Sequence, residues 1–293
     1  MKQAKTGLLH LLQMETTGEV SPAGSREGAQ LYRVDAFGPV KIARAHVSAP
    51  GASFRVHLYY VDGMLIDTGP RRLAGLFRTF FSSLPHVEYV VLTHLHEDHS
   101  GMASHAAAAG IPVLCHPDSV SAASRPFSLP FYRRAFWRSP KPFAAKPLPD
   151  KVQTAHYTFD VIATPGHTPE HVALYEREQG WLFSGDLYLG TRVMTAMREE
   201  SLPTLMASLR KVLALDFDTM FCAHVGPVDD GKAALRAKRQ YLEDLQGRVR
   251  QLAERGLTVR QATKQIYPKL QMMTVLSGGE FSPLHVVHSL WPD

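Results

Sequence analysis

Between Thr93 and Gly101 the chain reads Thr-His-Leu-His-Glu-Asp-His-Ser-Gly, which puts His94, His96, Asp98 and His99 within six residues. Side chains spaced this tightly cannot share one face of a helix, where neighbours recur every three or four residues. They converge only if a loop wraps them around a cation. All four are imidazoles or carboxylates and none is a thiolate, a set suited to zinc, iron or manganese. A fold that accommodates this stretch must bring a loop to a place where other parts of the chain complete the coordination.

Three downstream segments offer matching donors in order: Thr164-Pro-Gly-His167-Thr-Pro-Glu-His171, Phe183-Ser-Gly-Asp186 and Cys222-Ala-His224-Val-Gly-Pro227. Each follows a short apolar run, namely Val161–Ala163, Trp181–Phe183 and Met220–Ala223. Such runs read as strands, and loops at strand ends can gather side chains from distant parts of a sequence. Upstream, Leu65-Ile-Asp67-Thr-Gly69 forms a fifth piece. On these five motifs the chain, from about residue 31 to its end, resembles the metallo-β-lactamase-fold metallo-hydrolases. Pro165–His171 is similar to the glyoxalase II motif, with Glu170 where that family usually has Gly. The segments Trp181–Gly190 and Gly278–Leu290 resemble an uncharacterised bacterial branch.

The resemblance implies an α/β fold, the four-layer αββα sandwich, with a helical C-terminal extension. It also implies that His94, His96 and His167 hold one metal, that Asp98, His99 and His224 hold a second, and that Asp186 bridges them. Two divalent ions are expected, zinc first and manganese or iron as alternatives. Ions about 3.5–4 Å apart need an anionic bridge, and their shared water ionises with a pKa of about 7. That hydroxide would attack a carbonyl or phosphoryl centre without a separate general base, Asp98 helping to orient it. Asp67 is read either as support for a ligating imidazole or as a turn carboxylate. His171 is expected to be packed and hydrogen-bonded, not an eighth ligand. Tyr188 could reach a developing oxyanion or sit in the core. His285 and His288, at i and i+3 on a terminal helix, are read as packing residues.

A chain of 293 residues with 45% apolar content can bury a full core in one large α/β domain. It divides into a leader or outer strand over 1–30, a core over 31–230 and a helical extension over 231–293 packed on that core. No apolar run approaches the roughly 18 residues needed to span a bilayer. Leu8–Leu12 is too short for a convincing secretory signal. Cys115 and Cys222 lie in apolar runs and read as free buried thiols, which fits a cytoplasmic location. Asp62-Gly63 marks a hairpin turn between Val56–Val61 and Met64–Ile66. Helices are expected over Arg71–Phe81, from a Ser201 cap to about Leu215, from about Lys232, and after a capping box at Thr258–Gln261. Strands are expected over Val87–Leu92, Ile111–Leu114 and Phe217–Phe221. The insert 125–146 interleaves rings such as Phe131, Phe136 and Trp137 with Arg133, Arg134 and Arg138. It is read as a wall or lid of the site, or as a packed hairpin or homodimer contact. Residues 231–270 hold ten Lys and Arg against three acids, part of a net charge of +5. That excess suits either an anionic partner or one solvated helix face.

The leading function is hydrolysis of a small-molecule ester, thioester or lactone, with no membrane partner. The C-terminal region has no recognisable glutathione-binding pattern. One alternative is endonuclease action on single-stranded RNA, which the basic stretch would serve; a nucleic acid is the less favoured partner. Another, from a different class, is a persulfide dioxygenase with one iron on His94, His167 and Asp186. A diiron redox centre is disfavoured because its second donor is normally Glu, and here it is His96.

Overall fold

In the strand Ala52–Val61, Val56, Leu58 and Tyr60 face one way, Tyr59 and Val61 the other, and all five are buried. A strand covered on both faces belongs inside a layered structure. The computed structural model describes residues 32–49 and 52–292 and arranges their strands in two sheets. The reading of residues 1–30 lies outside the described residues.

The first sheet runs in chain order: β1 Tyr32–Phe37, β2 Val40–Ala49, β3 Ala52–Val61, β4 Met64–Ile66, β5 Tyr89–Val91, β6 Val113–Cys115 and β7 Lys146–Pro147. Strands β1 to β4 are an antiparallel meander, and β4 to β7 pair in parallel. The second sheet holds β8 Lys151–Gln153, β9 Thr158–Ala163, β10 Val172–Glu176, β11 Trp181–Gly185, β12 Thr219–Cys222 and β13 Gly226–Val228. Only β11 and β12 pair in parallel there.

The helices are α1 Ala74–Ser83, α2 Glu97–Ser100, α3 Ala103–Ala108, α4 Val120–Ala123, α5 Phe131–Trp137, α6 Leu202–Leu213, α7 Gly231–Glu254, α8 Val259–Ile266, α9 Met272–Leu276 and α10 Pro283–Ser289. Three cores bind the layers. Ile42, Tyr59, Ile66 and Val91 meet Phe159, Leu174, Phe183 and Phe221 between the sheets. Phe77, Phe80, Ala103 and Trp137 cover the outer face of the first sheet. Residues of α6, α7, α8 and α10 cover the second. This is the αββα order, with the C-terminal helices packed onto the second sheet as an outer layer.

Local chemistry explains the boundaries. Asp62 and Gly63 both take positive φ, 47° and 89°, as a tight hairpin turn demands. Ser201 Oγ accepts from the Thr204 N–H to start α6, and Thr258 with Gln261 forms the full capping box of α8. The helix expected from Arg71 opens instead as a 3₁₀ turn over Arg71–Leu73 before α1 begins. Phe217 is buried but precedes its strand, which starts at Thr219. No described helix is long and apolar enough to cross a membrane.

Candidate metal centre

The ends of β4, β5, β9, β11 and β12 open toward one edge of the sandwich, and each releases a loop that carries one of the five motifs. His94 and His96 come from the loop after β5, while Asp98 and His99 stand on the single turn of α2. Loop and helical turn together therefore make the convergence that neither geometry gives alone. His167 follows β9, Asp186 follows β11 and His224 follows β12. Gly185 permits the last step of β11: its φ is +48°, and a Cβ there would lie 2.6 Å from His171 Nε2.

The donor atoms fall into overlapping groups: His94, His96 and His167; His94, His99 and Asp186; Asp98, His99 and His224. His96 Nδ1 and His167 Nε2 lie 3.0 Å apart. Asp186 Oδ2 is 3.3 Å from His167 Nε2, whereas its Oδ1 is 3.3 Å from His99 Nε2 and 3.4 Å from His224 Nε2. Asp98 Oδ2 is 3.3 Å from His224 Nε2. Two donors sharing a tetrahedral ion at about 2.0–2.2 Å would stand about 3.3–3.6 Å apart, so the set fits metal coordination. A second observation agrees. His94 Nε2, His99 Nε2 and Asp186 Oδ1 are buried with no hydrogen-bond partner, an arrangement that is costly unless a cation completes it.

The outward nitrogens of His99 and His224 are held by other groups. Asp67 accepts from His99 Nδ1–H at 2.7 Å and from the Thr93 N–H at 2.8 Å. His224 Nδ1–H donates to the Arg55 carbonyl at 2.6 Å, and His167 Nδ1 faces Glu200 Oε2 at 3.5 Å. His171 is fully buried; its Nε2 accepts from the Asp186 N–H at 2.9 Å, and its Nδ1–H reaches Thr164 Oγ1 at 2.8 Å. Both ring nitrogens are thus engaged away from the donor groups. Burial, reinforced by His167, pushes its pKa down to about 3, so it stays neutral.

Electrostatics follows the same pattern. Burial opposes charge on His99, yet Asp186, Asp67 and Asp98 hold its pKa well above the usual histidine range. Burial would raise the Asp98 carboxyl, but His99 and His224 hold it below the usual carboxylate range. His94, set among other imidazoles, is pushed well down, first by burial and then by His99 and His96. A bound cation would add the largest local charge to this balance and keep the ligating imidazoles deprotonated.

The structure gives roles to residues that motif reading left unassigned. Glu97, inside the histidine stretch, forms a buried bidentate pair with Arg133 of α5, with both contacts at 2.7 Å. Phe136 and Trp137 of the same helix pack against Phe54, and Arg71 and Arg72 donate to the Ser139 and Ala135 carbonyls. The insert 125–146 is therefore pinned to the first sheet and to the donor loop, although the Phe131 ring remains exposed. Tyr188 packs in the core of the second sheet with its hydroxyl 3.3 Å from Thr191 Oγ1, and it does not line the neighbouring cavity. Cys222 donates its thiol to the Tyr188 carbonyl and joins none of the donor groups. His285 is tied to the Glu280 carbonyl at 2.9 Å and joins none of the donor groups. Beside His167 and Asp186 lies a cavity of about 220 Å³, walled by Leu189, Val193, Leu202, Met273 and Phe281, with Arg192, Thr195, Glu200 and Lys238 as its other polar lining.

A profile of the metallo-beta-lactamase superfamily matches residues 56–224, which contain the whole donor set. The chain belongs to that superfamily, a class of hydrolytic metalloenzymes. Among its relatives are a beta-lactamase-like protein 2 homolog of Caenorhabditis elegans, 28% identical over 70% of this chain and 66% of that one, and a probable metallo-hydrolase of Bacillus subtilis, 25% identical over 76% and 83%. An atrochrysone carboxyl ACP thioesterase of Claviceps purpurea is 26% identical over 70% and 63%. The chain thus spans under two thirds of the worm and fungal proteins' own lengths. A metallo-beta-lactamase family protein from Thermus thermophilus shares the fold, with a TM-score of 0.63 at 20% identity over 87% of this chain and 91% of that one.

Proposed function

We propose that the chain is a binuclear metal-dependent hydrolase that cleaves a small ester, thioester or lactone. The observation that carries this reading is the division of Asp186, whose Oδ2 faces His167 while its Oδ1 faces His99 and His224. On this reading His94, His96 and His167 would hold one cation, Asp98, His99 and His224 the other, and Asp186 would serve both. When bound, two divalent ions, zinc first, would supply a nucleophile from water at neutral pH and a positive charge for the substrate oxygen. The protein's residues do the rest. Asp67 and the Arg55 carbonyl fix the rings of His99 and His224, and Glu200 faces Nδ1 of His167. Asp98, kept ionised by its histidine neighbours, accepts a hydrogen bond and orients the attacking water. The cavity beside Asp186 takes the substrate's carbon skeleton against its apolar walls. The thioesterase named among the relatives supports an acyl substrate.

Elemental analysis of protein purified without added metal tests the proposal, with Asp186→Ala and His224→Ala alongside. Two zinc or manganese ions per chain, falling in both variants, are expected, together with turnover in an ester and lactone screen. A single iron that survives His224→Ala but not Asp186→Ala would overturn the reading and point to oxidation of a sulfur substrate.

A further inference from the structure

One cation of α7 does not belong to its surface. The buried stripe of that helix runs Leu235, Lys238, Leu242, Leu245, Val249 and Leu252, at spacings of three and four. Lys238 therefore stands where the pattern calls for an aliphatic side chain, and it is only 2% exposed. Its Nζ lies 5.7 Å from the centre of the Tyr188 ring, a cation–π contact. Among the described residues it has no hydrogen bond or ion pair. The acidic groups around it are engaged elsewhere: Glu200 accepts from the Met197 N–H at 3.0 Å and faces His167, and Asp186 stands among the donor imidazoles. The nearby Cys222 thiol donates to the Tyr188 carbonyl.

Lys238 lines the same cavity as His167 and Asp186. A buried ammonium without a counter-ion costs stability that a leucine at this position would not. Burial pulls its pKa from 10.5 down to about 8, against the opposing pull of Cys222, Glu200 and Asp186. A buried amine whose side chain lines this cavity, with its donors unused, is suited to receive an anion from outside the chain.

We propose that Lys238 is a specificity-determining residue that binds a carboxylate at the end of an apolar arm of the substrate, while the reacting carbonyl lies at the Asp186 donor set. The inference rests on the hydrolase reading and narrows its substrates to esters or thioesters with an anionic terminus. Apolar walls take the arm, Lys238 takes the charge, and the arm's length is set by the distance between them. A charge-assisted hydrogen bond of this kind contributes about ten- to a hundredfold in affinity.

Methyl-ketone acids of increasing chain length, levulinate the shortest, probe this without turnover, each compared with the uncharged methyl ketone of matching length. Calorimetric binding to the purified metal-bearing chain should favour one keto acid over its neutral partner by at least about tenfold. Lys238→Met and Lys238→Gln should both erase that preference and leave the neutral ketone's affinity unchanged. No preference at any length would overturn the proposal. So would a preference that survives both substitutions, since the carboxylate would then be binding the metals or Arg192, which lines the same cavity. Equal weakening of acid and ketone would also overturn it, because Lys238 would then be shaping the cavity and not reading charge. Metal content and ester turnover decide the hydrolase reading separately, so the two can fail independently.

Discussion

Asp67 accepts from both the Thr93 N–H and His99 Nδ1–H, so a carboxylate outside the donor groups holds two parts of the histidine stretch in register. Its φ of 60° lies in the left-handed region, which Asn tolerates as well as Asp. Asp67→Asn should therefore keep the fold and weaken metal binding by roughly ten- to a hundredfold. Competition against a chelator, with far-UV circular dichroism as the fold control, measures this; unchanged affinity would remove Asp67 from the centre's support. His57 makes a separate prediction. Burial, with Arg44, His224 and Arg55 adding to it, lowers its pKa from 6.5 to about 4, against the pull of its Ala223 hydrogen bond. Between those two values the unfolded chain binds a proton that the folded chain does not, so stability falls as pH drops through that window. The contribution is full above pH 6.5, and the slope for one histidine is about 1.4 kcal/mol per pH unit. Urea titrations across the window should show His57→Gln losing about that much of the slope relative to the parent.

Helices α2 and α5 meet through Glu97 and Arg133, whose side chains are 1% and 10% exposed. Arg133 also lies 3.6 Å from Glu280. Arg133→Ala, which strands the buried Glu97, should therefore cost about 3–5 kcal/mol and Glu97→Ala less, while Glu97→Leu with Arg133→Met together should cost much less than Arg133→Ala. Equal losses in single and double variants would show that α5 is held by its aromatic packing instead. The same pair shows where sequence reading stops. The candidate donors His94 to His224 were legible because each sits in a short motif at a strand end. The hairpin at Asp62-Gly63 and the caps at Ser201 and Thr258 were legible because turns and caps are chemistry among near neighbours. Glu97 and Arg133 are 36 residues apart, and Glu200 and His167 are 33 apart by their numbers; no local pattern joins either pair. Lys238 did leave a signal, a polar residue on the apolar beat of α7, but it was hidden among ten cations counted as one basic face.

At the scale of the molecule, the candidate donors come from both sheets: four follow β5 of the first, and His167, Asp186 and His224 follow strands of the second. A cation bound there stabilises the folded chain by mass action. Chelation should lower the melting temperature by at least about 5 °C, and by less in Asp186→Ala, where neither cation is held as well. Calorimetry with and without chelator decides it; identical melting would mean that the sheets do not depend on the centre. Cys115 and Cys222 are free and buried, so neither makes a covalent tie between distant parts of the chain. A metal joining Asp98 to His224, 126 residues further on, would be such a tie, and a reversible one. Partly unfolded chains are what proteases remove, so scarcity of the cation would shorten the protein's lifetime as well as idle its chemistry, and its abundance would follow the metal supply.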